Sequence, residues 1–436
     1  MDNSKRYVGL DVSRGFGIIA MILIHGIIQQ VAEYDGSIFI PHFQNLSKIT
    51  LILLAPIALL GLFGPAFVFI TSITISIQMI ALSKKKPDSL GVYVYGRVII
   101  GLILIILNNI ANTLFGAHFF RNGKFFLPEF QIRYDSNIID SIAWSGIIIS
   151  FFLFLFLRFR KNINFIEISI IFLTLVVLWF VCTPFLIPVG VNVFVWADEH
   201  SMYILKYIVS KFVIGRFKLF PVTGFGFLGI IYGYFLYSKS SFKKILIFSL
   251  ILAAVSITIF LIFVLFDSSF INDFASEDVP LQLQILCMGL IPLIIIAFMK
   301  GPDFSSLETR YRRASKTTWM RRYSIISLTA FSIGTIFADW IFHFFTAFWG
   351  NSVDRTGTVP KLEWNFFQVI AFIITLFLFW ELCVRLWEKI DYKGSLEWFM
   401  SVILSKFFHR ETSRMNIEKI LYHPNKPPQT AIEGKE

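Results

Sequence analysis

Residues 245–266 read ILIFSLILAAVSITIFLIFVLF, a run without a single charged side chain. An α-helix needs about 20 apolar residues to cross the hydrocarbon core of a bilayer. The run is continuous and lacks the alternation of apolar and polar residues that is typical of strands in a membrane β-barrel. The segment therefore predicts a helix that spans the membrane.

Similar segments occur along the whole chain of 436 residues, of which 56% are hydrophobic and only 15% are charged. Soluble domains carry about 25% charged residues. The composition thus excludes a soluble enzyme, a disordered chain and a nucleic-acid-binding module. Ten spans are predicted, near 9–31, 60–82, 92–115, 138–157, 165–188, 217–237, 245–266, 281–299, 323–348 and 364–388.

The stretch 46–63 is also apolar, but it contains Pro56 and Gly61, and Gly64 and Pro65 follow it. We interpret this stretch as a re-entrant or interfacial segment that leads into the second helix. The alternative, a span of its own, would invert the orientation of every later helix.

The charged residues predict the orientation of the helices. With a cytoplasmic N-terminus, most of the 39 Lys and Arg fall on the cytoplasmic side, including those of Lys84–Lys86 and Arg310–Arg322. Acidic residues such as Asp198 and Asp267 fall in outer loops. This asymmetry agrees with the positive-inside rule, so the net charge of +11 requires no nucleic-acid partner. The sequence predicts an all-α, polytopic integral membrane protein of about ten transmembrane helices with both termini in the cytoplasm.

The first span carries the densest group of ionisable residues. Asp11 and Arg14 are three residues apart, so they share a helix face and are expected to pair. His25 lies eleven residues beyond Arg14 on nearly the same face, and about 21 Å along the axis from Asp11. Two interpretations of His25 are open: a hydrogen-bonded structural residue, or a general base that works near neutral pH.

Other polar residues in the spans carry weaker signals. Arg97 either extends to the cytoplasmic surface or contacts an anion. We expect interhelical hydrogen bonds from the third span, and Asp140 either caps the fourth span or faces water. The asparagines concerned are Asn108, Asn109 and Asn112.

Two pairs in later spans have helical i, i+4 spacing. A structural pair and a functional pair are equally open for Asp339 and His343. A structural ion pair is expected for Glu381 and Arg385. His42, in the first outer loop, is either a surface residue or part of an outward-facing site. The cysteines, Cys182, Cys287 and Cys383, have no metal-ligand spacing, so neither a disulfide framework nor a metal site is predicted.

The stretch Arg6–Gly26, RYVGLDVSRGFGIIAMILIHG, resembles the opening motif of the transmembrane acyltransferase superfamily, R-x-x-x-L/I-D-x-x-R-G followed by M-x-x-x-H. Its members include the heparan-α-glucosaminide N-acetyltransferase-like, YeiB-like and acyltransferase-3 proteins. Four later stretches of the chain resemble the first two groups better than the third. They are GPAFVFITS at 64–72, FPVTGFGFLG at 220–229, RYSIISLT at 322–329 and KGSLEW at 393–398.

The resemblance implies transfer of an acyl group, usually acetyl, from cytoplasmic acyl-CoA to an acceptor on the other side of the membrane. It implies His25 and Asp11 as candidate catalytic residues. His42 is a third candidate from its place in the first outer loop, and no metal is expected. The anionic coenzyme would meet Arg14, Arg97 and Lys84. The expected acceptor is a sugar hydroxyl or amine of a glycan, and the expected location is the cell membrane.

The matched stretches end at residue 398. They predict a transmembrane acyltransferase-like domain over 1–398 and a polar cytoplasmic tail over 399–436. Whether the acyl group passes directly or through an acyl-histidine intermediate stays open, as does the oligomeric state.

Two alternative functions also stay open. Polytopic helices with intramembrane charges suit a transporter or flippase without chemistry. Within the enzyme class, the alternative is an acyltransferase-3-type O-acetyltransferase of cell-envelope glycans.

Overall fold

The computed structural model describes residues 6–33, 63–115, 120–121, 124–125, 134, 136–160, 163–266, 279–356, 360–407 and 417–422. Within them, ten helical segments are long and apolar enough to cross a membrane, as predicted. They are α1 (Val8–His25, continued by a π-helix, Gly26–Val31), α2 (Gly64–Lys85), α3 (Leu90–Phe115), α4 (Ile138–Phe159), α5 (Phe165–Glu199), α7 (Leu219–Tyr237), α8 (Phe242–Phe266), α9 (Leu281–Phe304), α12 (Ser327–Trp349) and α13 (Phe366–Glu388).

Shorter elements lie between and after the spans. They are β1 (Phe120–Arg121), β2 (Lys124–Phe125), α6 (Tyr203–Val213), α10 (Leu307–Lys316), α11 (Thr318–Ile325), β3 (Val353–Asp354), β4 (Lys361–Leu362), α14 (Leu396–Phe407) and α15 (Ile417–Leu421). The strands form two antiparallel pairs, β1 with β2 and β3 with β4. His42 and the apolar segment 46–63, apart from Phe63, lie outside the described residues.

Three predicted spans have wrong boundaries. The eighth was predicted to end at residue 299, but α9 continues to Phe304. The fifth was predicted to end at residue 188, at a proline, but α5 continues to Glu199. Spanning helices tolerate proline because neighbouring groups satisfy the freed carbonyls. The ninth was predicted to begin at residue 323, but the helix is interrupted at Ile326, between α11 and α12.

Helix α7 is the central helix of the bundle, since its spanning window is 89% buried. Its glycines allow close approach of α2: a Cβ atom at Gly229 would lie 2.7 Å from the Ser72 Cβ, and one at Gly233 would lie 2.5 Å from the Ser76 Cβ. Two small residues separated by three others are a common helix-packing device in membranes, where van der Waals contact drives association.

The end of the bundle at which α1 begins is called the N-terminal face here. The Tyr7 hydroxyl donates to the Leu236 carbonyl at the end of α7, over 2.8 Å. The Lys84 ammonium, at the end of α2, lies 5.3 Å from the centre of the Tyr237 ring. The second and sixth spans therefore end on the face where the first begins, as an alternating ten-helix topology requires.

The other end is called the opposite face. There the Asn108 side chain, near the end of α3, donates to the Asn137 side chain at the start of α4 over 3.2 Å. The backbone N–H of Phe217, just before α7, donates to the Ser136 carbonyl over 3.3 Å. These contacts join the end of the third span to the starts of the fourth and sixth.

Two of the quoted C-terminal stretches bind each other. Glu397 accepts hydrogen bonds from the backbone N–H groups of Leu328 and Thr329 at the start of α12. The Thr329 hydroxyl donates to the same carboxylate over 2.6 Å and accepts from the Leu396 N–H over 2.8 Å. Burial raises the pKa of Glu397. A carboxylate at the N-terminus of a helix satisfies free N–H groups and interacts favourably with the helix dipole.

The predicted boundary between membrane domain and tail, at residue 398, falls inside α14. Farther on, α15 packs against the bundle, with Leu421 fully buried. The Arg321 guanidinium donates to the Ile420 and Leu421 carbonyls, over 2.9 and 2.5 Å. Burial lowers the pKa of Arg321 to about 10. The segment 417–422 is therefore part of the folded structure.

The close contact between α1 and α11 gives a stability prediction. A Cβ atom at Gly15 would overlap the Met320 carbonyl, whereas one at Gly91, in α3, would have no atom within 4 Å. Gly15→Ala should destabilise the protein by about 1–3 kcal/mol, as overpacking of a core does. Gly91→Ala should be neutral or slightly stabilising, because alanine favours helix. Thermal unfolding in detergent measures both variants, and equal midpoints would contradict this packing.

Candidate functional site

The N-terminus of α1 is fixed by a carboxylate from α9. The backbone N–H groups of Val8 and Gly9 donate to the two oxygens of Asp303, over 2.8 and 2.7 Å. Asp303 is buried, and a Cβ atom at Gly9 would lie 2.5 Å from the Met299 Cα. Asp303 thus acts as the cap that α1 does not supply from its own sequence, and it sets the position of the first span.

The prediction that Asp11 pairs with Arg14 is wrong, because Asp11 pairs with another residue. The salt bridge of Asp11 is with Arg6, whose Nε lies 2.5 Å from the carboxylate. Helical side chains lean toward the N-terminus of their helix, so the carboxylate points back toward Arg6. Arg14 is half-buried and feels the charge of Asp11, but it has no carboxylate within 4 Å among the described residues.

His25 lies at the end of α1, where the helix changes to the wider π form. Single π turns are frequent at functional sites. The ring meets Phe331 edge-on, with centroids 6.3 Å apart. It makes no hydrogen bond to any residue that the structure describes. If His25 were a hydrogen-bonded structural residue, it would need a hydrogen-bond partner, and the described residues provide none.

A cavity extends along α1 and is lined by residues before and after His25. Its empty space, including the part open to solvent, is about 510 Å³. The α1 side of the wall extends from Gly17, one turn beyond Arg14, to Ile28 in the π-helix. Arg14 itself is not in the wall. The cavity thus connects the level just above the Arg14 turn with the level of the imidazole.

Arg216 lines the same cavity, although no sequence pattern singled it out. It lies in the loop between α6 and α7, and its charge acts on His25. An arginine in a loop between spans is expected to be solvated. The hydropathy of the sequence around Arg216 therefore did not indicate a site residue. The landmark FPVTGFGFLG, which begins four residues later, was the nearest clue in the sequence.

Asp140 belongs to a buried polar network at the opposite face. Its Oδ2 accepts from the Lys211 ammonium over 2.8 Å, and its Oδ1 accepts from the Asn108 amide over 3.0 Å. Asn137 supplies the cap of α4 instead, so the expectation that Asp140 caps the helix or faces water is wrong. The predicted interhelical hydrogen bonds of the asparagines are confirmed for Asn108, and also for Asn109, which donates to the Tyr207 hydroxyl over 3.2 Å.

Arg97 is half-buried. A Cβ atom at Gly146, in α4, would lie 3.4 Å from its Nη2, and its buried Nε has no hydrogen-bond partner. No carboxylate among the described residues lies within 4 Å of it. Lys84 is exposed beside Tyr237. Arg14, Arg97 and Lys84 thus have different neighbours, and no contact in the described ranges joins them.

The remaining predicted pairs form. His343 Nε2 lies 3.5 Å from Asp339 Oδ1, and Arg385 Nε lies 2.7 Å from Glu381 Oε1. His42, the third candidate catalytic residue, lies outside the described residues. Across the described ranges, no group of three or more His, Cys, Asp or Glu is placed to hold a metal ion.

No protein-family model, curated protein or solved structure matches this chain. Its class follows from the fold, which is that of an all-α, multi-pass membrane protein. The candidate site consists of one imidazole and one guanidinium, those of His25 and Arg216, which line the same cavity.

The buried ion pair gives a prediction with a surface pair as control. Lys211→Met leaves the Asp140 charge buried and unpaired, which should cost about 3–5 kcal/mol. Adding Asp140→Asn should recover much of this loss, because the charge is removed. Lys206→Met breaks a more exposed pair with Asp198 and should cost at most about 1 kcal/mol. Unfolding midpoints in detergent test this, and a double variant no more stable than Lys211→Met would contradict the pairing.

Proposed function

We propose that the protein transfers an acyl group, acetyl in the simplest case, from cytoplasmic acyl-CoA to an acceptor on the other side of the cell membrane. The observation that carries this proposal is the cavity along α1. It begins one turn from Arg14 and contains an imidazole without a hydrogen bond to the described residues. The opening-motif resemblance supplies the reaction class.

His25 is the proposed base. A neutral imidazole nitrogen accepts the proton of the acceptor hydroxyl or amine while that group attacks the thioester carbonyl carbon. The new C–O or C–N bond forms, the C–S bond breaks, and coenzyme A leaves as the thiol with that proton. Attack by the imidazole itself, giving an acyl-histidine, balances equally well and stays open.

Arginines without carboxylates are the proposed contacts of the anionic donor. Guanidinium groups bind phosphate in a bidentate manner, and they keep their charge when partly buried. Arg14 and Arg97 both lack an acidic partner in the described part of the chain, and the buried Nε of Arg97 has no acceptor. Lys84, exposed at the N-terminal face, would add long-range attraction. Asp11 is bound to Arg6, so its role is to hold the start of α1.

Replacement of His25 tests the chemistry. His25→Ala should reduce acyl transfer by about 10²–10⁴-fold, the usual contribution of a general base, and leave acetyl-CoA affinity within a few-fold. The assay measures thiol release from acetyl-CoA by protein in proteoliposomes supplied with a glycan and lipid extract of the source membrane. Mass spectrometry then identifies the acetylated product.

The matched control is His200→Ala, since His200 is an exposed histidine that stacks on Trp196. Its rate should equal that of the unchanged protein. Equal rates for His25→Ala and the unchanged protein would remove His25 from catalysis. Solute flux in proteoliposomes without coenzyme A, with no thiol release, would support the transporter alternative.

The donor contacts are tested by binding. Arg14→Gln and Arg97→Gln should each weaken acetyl-CoA affinity by about tenfold or more, since hydrogen bonds to charged groups contribute about 1.5–3 kcal/mol. Arg355→Gln is the control, because Arg355 pairs with Glu33 at the opposite face. Titration calorimetry measures all three variants. A variant that binds acetyl-CoA as the unchanged protein does would exclude that arginine from the donor site.

A further inference from the structure

The opposite-face end of the cavity contains a guanidinium without a partner. Arg216 is half-buried, and no described residue offers it a carboxylate within 4 Å or a hydrogen bond. A cation that has lost part of its hydration needs a replacement for the missing water. An arginine in such a place is therefore a candidate anion site.

The loop that carries Arg216 is fixed on both sides. Ser136 accepts from the Phe217 N–H and donates its own N–H to the Ile214 carbonyl, over 3.3 and 2.9 Å. The hydroxyls of Ser136 and Ser141 both donate to the Phe217 carbonyl. Gly215 has φ of +94°, a conformation that side chains disfavour. The backbone of Arg216 is thus held in place before any ligand arrives.

The buried acid of this face does not neutralise Arg216. Asp140 is two residues beyond Ile138, which lines the cavity. Its oxygens are bound by Lys211 and Asn108. The same ion pair anchors α6, from which the Arg216 loop continues. The network therefore holds the loop and leaves the Arg216 charge available.

Most of the remaining wall is apolar. The aromatic residues Phe63, Phe67, Phe217 and Phe331 line the cavity together with Arg216 and His25. An inorganic anion would gain nothing from these rings, whereas a hydrocarbon portion would be removed from water there, at about 25 cal/mol per Å² of apolar surface.

We propose that this cavity binds an anionic amphiphile, whose phosphate or carboxylate pairs with Arg216 while its apolar portion packs on the phenylalanine rings. Resting on the proposed function, this ligand is the acyl acceptor, and its hydroxyl or amine lies at His25. The binding itself is independent of acyl transfer, so the two proposals can fail separately.

The test is titration of the full-length protein in nanodiscs with hexyl phosphate, hexanoate, hexanol and inorganic phosphate. Hexyl phosphate or hexanoate should bind more tightly than both hexanol and inorganic phosphate, and the tighter of the two identifies the anionic group. Arg216→Gln should weaken that binding by about tenfold to a hundredfold. Arg216→Lys, which keeps the charge but not the bidentate geometry, should lie between.

The control is Arg355→Gln, which removes a surface arginine of the same face and should bind as the unchanged protein does. Thermal unfolding checks that Arg216→Gln is folded. Equal affinity in Arg216→Gln and the unchanged protein would overturn the proposal, as would hexanol or inorganic phosphate binding as tightly as the anionic amphiphiles. Arg216-dependent binding supports the proposal even where thiol release from acetyl-CoA is absent, an outcome that would overturn only the proposed reaction.

Discussion

A charge can lie inside a membrane protein only where protein groups replace the water it has lost. The pair of Asp140 with Lys211 meets this condition, because the two charges compensate each other and Asn108 satisfies a further oxygen. The pair also joins the fourth span to α6 and, through the loop that follows, to the start of α7. Arg216 and Phe217 line the cavity and lie in that loop, so their placement depends on this one interaction.

The arginines of the bundle differ in whether the protein supplies partners for their charge. Arg321 is surrounded by carbonyl oxygens and Arg322 by the Glu388 carboxylate, so both serve the structure. Arg97 and Arg216 lack such partners among the described residues. The contrast is informative because the fold demonstrably supplies partners elsewhere. Guanidinium groups without anions at two depths are what the proposed binding of anionic ligands from both sides requires.

Hydropathy predicted all ten spans because length and apolar composition are local properties. The Asn108 hydrogen bonds were also foreseeable, since an amide in hydrocarbon must find a partner. Lys211 and Arg216 were not foreseeable. Both lie in a connection between spans, and the ion pair joins residues 71 positions apart. The partner of Asp11 was predicted wrongly because the i, i+3 rule applies only to residues within a helix, and Arg6 precedes the helix.

Helix α1 combines a fixed half with a wider half. Its first turns are held by Asp303 and by glycines that allow direct contact with α9 and α11. After His25 the helix takes the π form and lines the cavity. A fixed first half keeps Arg14 and His25 at a constant separation, because a helix resists compression along its axis. In the proposed reaction the donor and the acceptor enter from opposite faces, so that constant separation determines where the thioester and the accepting group meet.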